Sequence, residues 1–176
     1  MFPAIIAFPA DWKEPPAEVR KAVDEAAAEY KIQPEILYGI AWRETTFNVK
    51  SIGKKTAANN ATYAKSYAKY KDQRIPGSSL TWGEMFAPEQ WAPWGVLQLN
   101  PYHLVGKGKP VKAGAPLAEL LKPRNQARAA AKLLVQLYKK AGGDWTRAIL
   151  LYNGSVTYRR DVALNITALR EANGIA

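Results

Sequence analysis

The chain has 176 residues, of which 48% are hydrophobic and 23% charged, a balance that fits one globular domain and excludes intrinsic disorder. It contains no cysteine and one histidine, His103. Disulfide scaffolds, thiolate nucleophiles and His-rich zinc sites are therefore excluded, and a Ser-His-Asp triad would rest on His103 alone. With 25 basic and 15 acidic residues the net charge is +10, which points to a polyanionic partner: nucleic acid, a membrane surface or an anionic cell wall.

The N-terminal stretch MFPAIIAFPADWKEPP has a short apolar run broken by Pro3 and Pro9. It lacks the basic and long apolar regions of a secretory signal, and no segment approaches the roughly 18–20 apolar residues of a spanning helix. The expectation is a chain made in the cytosol, without signal peptide or transmembrane segment, with residues 1–15 as an extension. A first helix is predicted from about Pro16 to Tyr30, with Val19, Ala22, Val23, Ala26 and Tyr30 on one face. A second starts at Pro34, a favoured first helical residue. A loop over 51–61 enters a helix near Ala57–Lys71, and Ile75–Trp94, rich in Pro, Gly and Trp, reads as irregular. Residues 102–116 form another loop. A largely buried helix spans Arg124–Ala141 and stops at Gly142-Gly143. Asp144 is a good N-cap for the next helix, and a last one follows near Thr157–Ala172. No strand alternation persists, and the architecture read from the sequence is one mainly α domain over 1–176.

One residue of the second helix stands out. At about 100° per residue, with Ile36 at zero, Leu37, Ile40, Ala41 and Phe47 fall at roughly 100, 40, 140 and 20 degrees. Glu44 falls at roughly 80 degrees, within that apolar arc, whereas Glu35 lies opposite, as a solvated Glu should. Burial raises a carboxyl pKa, and a carboxyl protonated near neutral pH is what a general acid for glycosidic cleavage needs. The competing reading is a helix-end Glu paired with Arg128 or Arg147. Position alone leaves both open.

The segments around Glu44 resemble the soluble lytic transglycosylase family. Its Glu-Ser-aromatic-Asn signature reads Glu44-Thr45-Thr46-Phe47-Asn48 here, and its Gly-Leu-Met-Gln-Leu-x-Pro element reads Gly95-Val96-Leu97-Gln98-Leu99-Asn100-Pro101. An Asn opening an alanine-rich helix appears as Asn125-Gln126-Ala127-Arg128-Ala129, and the Ala-x-x-x-Tyr-Asn element as Ala148 to Tyr152-Asn153, followed by Gly154-Ser155. The four stand in the family's order over residues 30–165. Departures are Thr45 for the usual Ser, a glycine displaced to Gly154, and a longer gap between Glu44 and Gly95. The resemblance implies a lysozyme-like fold of the goose type, with an inserted helix and Trp-rich loop over about 51–93.

It also implies cleavage of the β-1,4 bond between N-acetylmuramic acid and N-acetylglucosamine in peptidoglycan. Glu44 acts first as acid and then as base, and a 1,6-anhydro product forms without water, metal or cofactor. By the same resemblance Tyr152 orients Glu44 through its hydroxyl, Gln98 lines the glycan cleft, Asn153 supports the site and Thr45 keeps the signature hydroxyl. Tyr152 as a plain core aromatic and Gln98 as a loop-bonding side chain are the alternatives.

In the insertion, Tyr63, Tyr67 and Tyr70 share an arc beside Ala57, Ala61, Ala64 and Ala68, which reads as core packing or as a stacking wall for sugars or bases. Trp94, directly before Gly95, is a candidate to stack on glycan, ahead of Trp82 and Trp91. Glu84 or Glu89, placed across the cleft from Glu44, would activate water and make a lysozyme-type hydrolase. Lys107, Lys109 and Lys112 read as a solvated cluster that could help hold the anionic wall. The expected partner is the glycan strand, with a phage setting for entry or lysis and other virion proteins as further partners. A non-catalytic wall-binding virion protein and a nucleic-acid binder are the remaining alternatives, the latter without a recognised motif.

Overall fold

The computed structural model describes residues 7–175. Helix α1 (Ala17–Tyr30) begins after Pro15-Pro16, where the Pro16 carbonyl accepts from the Val19 and Arg20 amides. Its Val19, Ala22, Val23 and Ala26 are buried, the i, i+3, i+4, i+7 stripe that an amphipathic helix turns inward. Helix α2 (Pro34–Thr45) carries proline in its first turn and ends with Thr46 in the left-handed region at φ 49°. Helix α7 (Pro123–Lys140) again starts on proline. The Asp144 side chain caps α8 (Trp145–Asn153) by accepting from the Arg147 amide, as the sequence predicts. Ser155 caps α9 (Val156–Ala172) in the same way, accepting from the Tyr158 amide.

The core is built on α7. It packs against α1 and α8, while α9 lies along α2 and touches α8. Ala127, Ala129, Ala130 and Ala131 of α7 are buried, and small side chains there allow close approach of neighbouring backbones. At the centre, Leu37, Tyr38, Ile40, Leu134, Val162 and Leu169 exclude water completely. Each such side chain contributes about 1.5–3 kcal/mol of transfer free energy.

Between α2 and α7 lies the segment expected from the sequence to be an insertion, with α3 (Ala61–Tyr70), the single turn α4 (Trp82–Met85) and a 3-10 turn at Pro88–Gln90. Single-turn helices α5 (Pro101–Leu104) and α6 (Ala118–Leu121) follow. Among the described residues no β-strand forms; Ile52–Trp94 and Trp94–Leu99 meet as isolated bridges. No helix among them is long and apolar enough to cross a membrane. The insertion has its own aromatic nucleus. Trp82, Phe86 and Trp91 are buried, the rings of Tyr67 and Tyr70 lie 5.6 and 6.2 Å from that of Trp91, and Tyr67 Oη donates to the Phe86 carbonyl at 3.0 Å.

Several sequence expectations need correction. Glu35 is not solvated: its side chain is 7% exposed and accepts from Arg170 Nε at 3.1 Å, so α9 buries the face of α2 that the helical wheel assigned to water. On α3 the tyrosines, not the alanines, carry the packing, and Ala61 and Ala68 are exposed. Arg128 bonds Glu29 at 2.8 Å, which removes it as a partner for Glu44. Of the N-terminal extension, residues 1–6 lie outside the described residues. Phe8 packs edge-on to Tyr38 at 5.1 Å, Trp12 stacks on Trp42 at 4.5 Å, and Ala7 exchanges two hydrogen bonds with the Asn173 side chain. The extension thus clamps α2 from outside.

Candidate active site

Glu44 sits in the last turn of α2, where the chain leaves the helix through Thr46 and Phe47, both at positive φ (49° and 65°). Such backbone costs of order 1–3 kcal/mol per residue and is kept only where surroundings enforce it; here buried Phe47 locks into Trp12, Tyr38 and Trp42. The anchored turn presents Glu44 to a cleft of about 270 Å³. Tyr63, Pro93, Gln98, Leu99 and Asn100 from the insertion and its exit loop line one side, with His103 from α5, Leu133 from α7 and Tyr152 and Asn153 from α8 completing it.

The Gly95–Leu99 loop forms the cleft edge. Gly95 has φ +71°, and a Cβ there would lie 2.5 Å from the Gln126 side chain, so both backbone and space require glycine. Gln98 is itself at φ 48°, and its Nε2 donates to the Gly95 carbonyl at 2.9 Å and the Ser51 carbonyl at 3.3 Å. Its amide nitrogen thus bonds loop backbone while the side chain lines the cleft. Thr45 Oγ1 donates to the Val96 carbonyl at 3.0 Å. That hydroxyl joins α2 to the loop and is not among the cleft-lining groups.

Tyr152 lies beside Glu44, whose charge, after burial itself, holds the phenol well above its ordinary pKa. Its hydroxyl, however, donates to the Leu97 carbonyl at 2.9 Å, so Tyr152 pins the loop and does not orient Glu44 through that group. The hydroxyl directed at Glu44 belongs to Tyr158, in the first turn of α9. It is close enough to favour the Glu44 anion but outside ordinary hydrogen-bond geometry, and among the described residues its hydroxyl has no other hydrogen-bond partner. Catalytic hydrogen bonds are often long before substrate arrives. Arg43 backs the pair, its guanidinium 5.7 Å from the Tyr158 ring centroid and its Nε 2.9 Å from Asp161 Oδ2.

Burial raises the Glu44 pKa above the ordinary carboxyl value, against smaller opposing effects of Tyr158 and Arg43. Opposite, burial and the Glu44 charge raise Tyr63. His103 is pulled down to about 4 by burial and by Lys109, so it faces the cleft as a neutral imidazole.

Among the described lining residues Glu44 is the one carboxyl. Glu84 is exposed and accepts from the Thr81 amide in a capping box, and Glu89 is exposed on the 3-10 turn. Neither lines the cleft. Trp94 is 4% exposed, with its Nε1 donating to the Gln90 carbonyl at 2.9 Å; Trp82 and Trp91 are equally interior. None of the three tryptophans considered as sugar platforms lines the cleft. Tyr63 is the insertion aromatic that reaches the cleft.

A lone elevated carboxyl thus lies between a glycine-turned loop and a Tyr-Asn helix end. The transglycosylase SLT domain model matches residues 21–168. The chain belongs to the SLT transglycosylase family. No curated protein and no solved structure gave a match. In this SLT domain the matched span runs from α1 into α9 and takes in the whole insertion. The mainly α architecture is the lysozyme-like fold, and the domain is of the lytic transglycosylase type that acts on peptidoglycan.

Tyr158 was missed by the motif reading because it lies past the Tyr-Asn element. A signal existed: Tyr158, Val162 and Leu169 share one face of α9, and a tyrosine on an apolar stripe needs somewhere to point its hydroxyl.

Proposed function

We propose that the protein cleaves the MurNAc-β-1,4-GlcNAc bond of peptidoglycan as a lytic transglycosylase, with Glu44 as the single acid and base. The observation that carries this reading is one half-buried carboxyl of raised pKa in a cleft with no second carboxylate among its described lining residues. Ordinary glycosidases place two carboxyl groups about 5–9.5 Å apart across the bond.

Protonated Glu44 gives its proton to the glycosidic oxygen as the bond from the muramic C1 breaks, and N-acetylglucosamine leaves with a free 4-hydroxyl. The positive charge that develops on the muramic ring is steadied by the substrate's own acetamido group. Glu44, now ionised, takes the proton of the muramic C6 hydroxyl, and O6 closes on C1 to give the 1,6-anhydro end. Glu44 is protonated again, and no water is consumed. Tyr158 and Arg43 favour the Glu44 anion and so ease the first donation, while burial favours uptake of the second proton. Tyr152 and Gln98 hold the loop that forms the cleft edge.

Mass analysis of soluble products from peptidoglycan sacculi tests the reaction. Wild type is expected to release anhydro-muropeptides, and Glu44→Gln to lose about 10²–10⁴-fold in rate, the usual contribution of a positioned general acid. Reducing-end products would assign a hydrolase instead, and undiminished activity of Glu44→Gln would remove that residue from the mechanism.

A further inference from the structure

Beside the cleft, the insertion and the loop after α5 enclose a second pocket of about 210 Å³, small for a drug-sized ligand but of a size for one amino-acid residue. Tyr70, Trp82 and Tyr102 give it aromatic walls, and Arg74, Lys107 and Lys109 supply its charges. Among the described residues no carboxylate lines it. Tyr102 is 39% exposed and carries the Lys109 ammonium 5.5 Å from its ring centroid.

Lys109 is the unusual member. It is half-buried, and no carboxylate among the described residues stands within ion-pair distance of it. Burial, then the neighbouring Lys132 charge, lowers its pKa. The backbone of its loop is fixed at several points. Lys107 N donates to the Pro76 carbonyl, Val111 N to the Leu104 carbonyl, and Lys132 Nζ to the Gly108 carbonyl at 2.7 Å. A half-desolvated cation held beside like charge is costly by itself, and an entering anion relieves that cost.

Two elements run from the cleft to the pocket. On α5, His103 faces the cleft and Tyr102 the pocket; on α3, Tyr63 faces the cleft and Tyr70 the pocket. Seven helical residues span about 10 Å, which three extended peptide residues also cover. We propose that this pocket binds a carboxylate of the peptide stem carried by the muramic residue in the cleft, with Lys109 as the anion partner and the aromatic walls around the apolar part of that residue. The proposal rests on the peptidoglycan reading and adds to it a recognised substrate part, the acidic peptide.

Calorimetry on Glu44→Gln tests it with free ligands, none of which carries a glycosidic bond: a stem tripeptide with a C-terminal carboxylate, its C-terminal amide, and glycerol phosphate. The tripeptide acid is expected to bind, the amide at least about tenfold more weakly, and the further change Lys109→Gln to weaken the acid by a similar factor. Lys139→Gln, the same charge change at the exposed end of α7, is expected to have no such effect. Equal binding of acid and amide, equal loss from both lysine changes, or no binding at millimolar peptide would overturn the proposal. Tighter binding of glycerol phosphate than of the acid would overturn the peptide source and assign the pocket to wall phosphate. These readouts contain no turnover, so they stand or fall separately from the anhydro-product assay.

Discussion

Glu44 shows how one side chain acquires chemistry from its position. Burial favours its neutral form, while Tyr158 and Arg43 pull the other way. Replacing Tyr158 by Phe removes one opposing influence, so the Glu44 pKa rises further. A general acid is active while protonated, so the alkaline limb of the pH–rate profile is expected to move to higher pH in Tyr158→Phe. An unmoved limb would detach Tyr158 from Glu44. Stability carries the same signature. Above the ordinary value near 4.5 the unfolded chain ionises Glu44 while the folded chain retains the proton, so stability falls as pH rises through that window. Glu44→Gln is therefore expected to melt above wild type at pH 7 and level with it below pH 4.5. Each kcal/mol would appear as about 2–4 °C.

Among the elements, the Gly95–Leu99 loop couples the insertion to the helical core. Ser51 accepts from Gly95, and Gly53 N donates to the Pro93 carbonyl; from the core, Thr45 and Tyr152 donate to Val96 and Leu97. Gly95→Ala would drive a methyl group into Gln126 in a left-handed conformation, for about 2–4 kcal/mol of destabilisation. Denaturant unfolding checks that figure, and activity in the still-folded variant is expected to fall because Gln98 and the cleft edge move with the loop. The short motif around Gly95 was readable from the chain. What it contacts was not, because Ser51, Gln126 and Tyr152 come from three distant segments.

Across the whole molecule two electrostatic consequences follow. The net charge of +10 predicts that retention on purified sacculi weakens as salt rises, since exposed charges are screened within about 8–10 Å near physiological ionic strength. Co-sedimentation at 50 and 500 mM salt measures it. His103 takes a proton near 6.5 when unfolded but only near about 4 when folded. The unfolded state binds more protons between those values, so stability is complete above pH 6.5 and is lost as pH falls toward 4. A His103→Asn variant is expected to lack this component, worth up to about 3 kcal/mol, in melting curves taken across that range.

Local regularities alone determined the six longer helices, the Pro34 start, the Asp144 cap and the apolar arc that set Glu44 apart, because periodicity and capping involve residues within one or two turns; the single turns α4, α5 and α6 were not legible that way. The tertiary structure decided which polar and aromatic groups meet. Glu35 became a buried partner of Arg170 because α9 covers the side of α2 that a lone helix would leave wet. Trp82 and Trp91 went inward because the segment between α2 and α5 buries an aromatic nucleus of its own. Tyr158, not Tyr152, was turned toward Glu44, and Lys109 was held beside Tyr102, by contacts between segments far apart in sequence. Hydrogen bonds and desolvation depend on three-dimensional neighbours, and no one-dimensional pattern contains them.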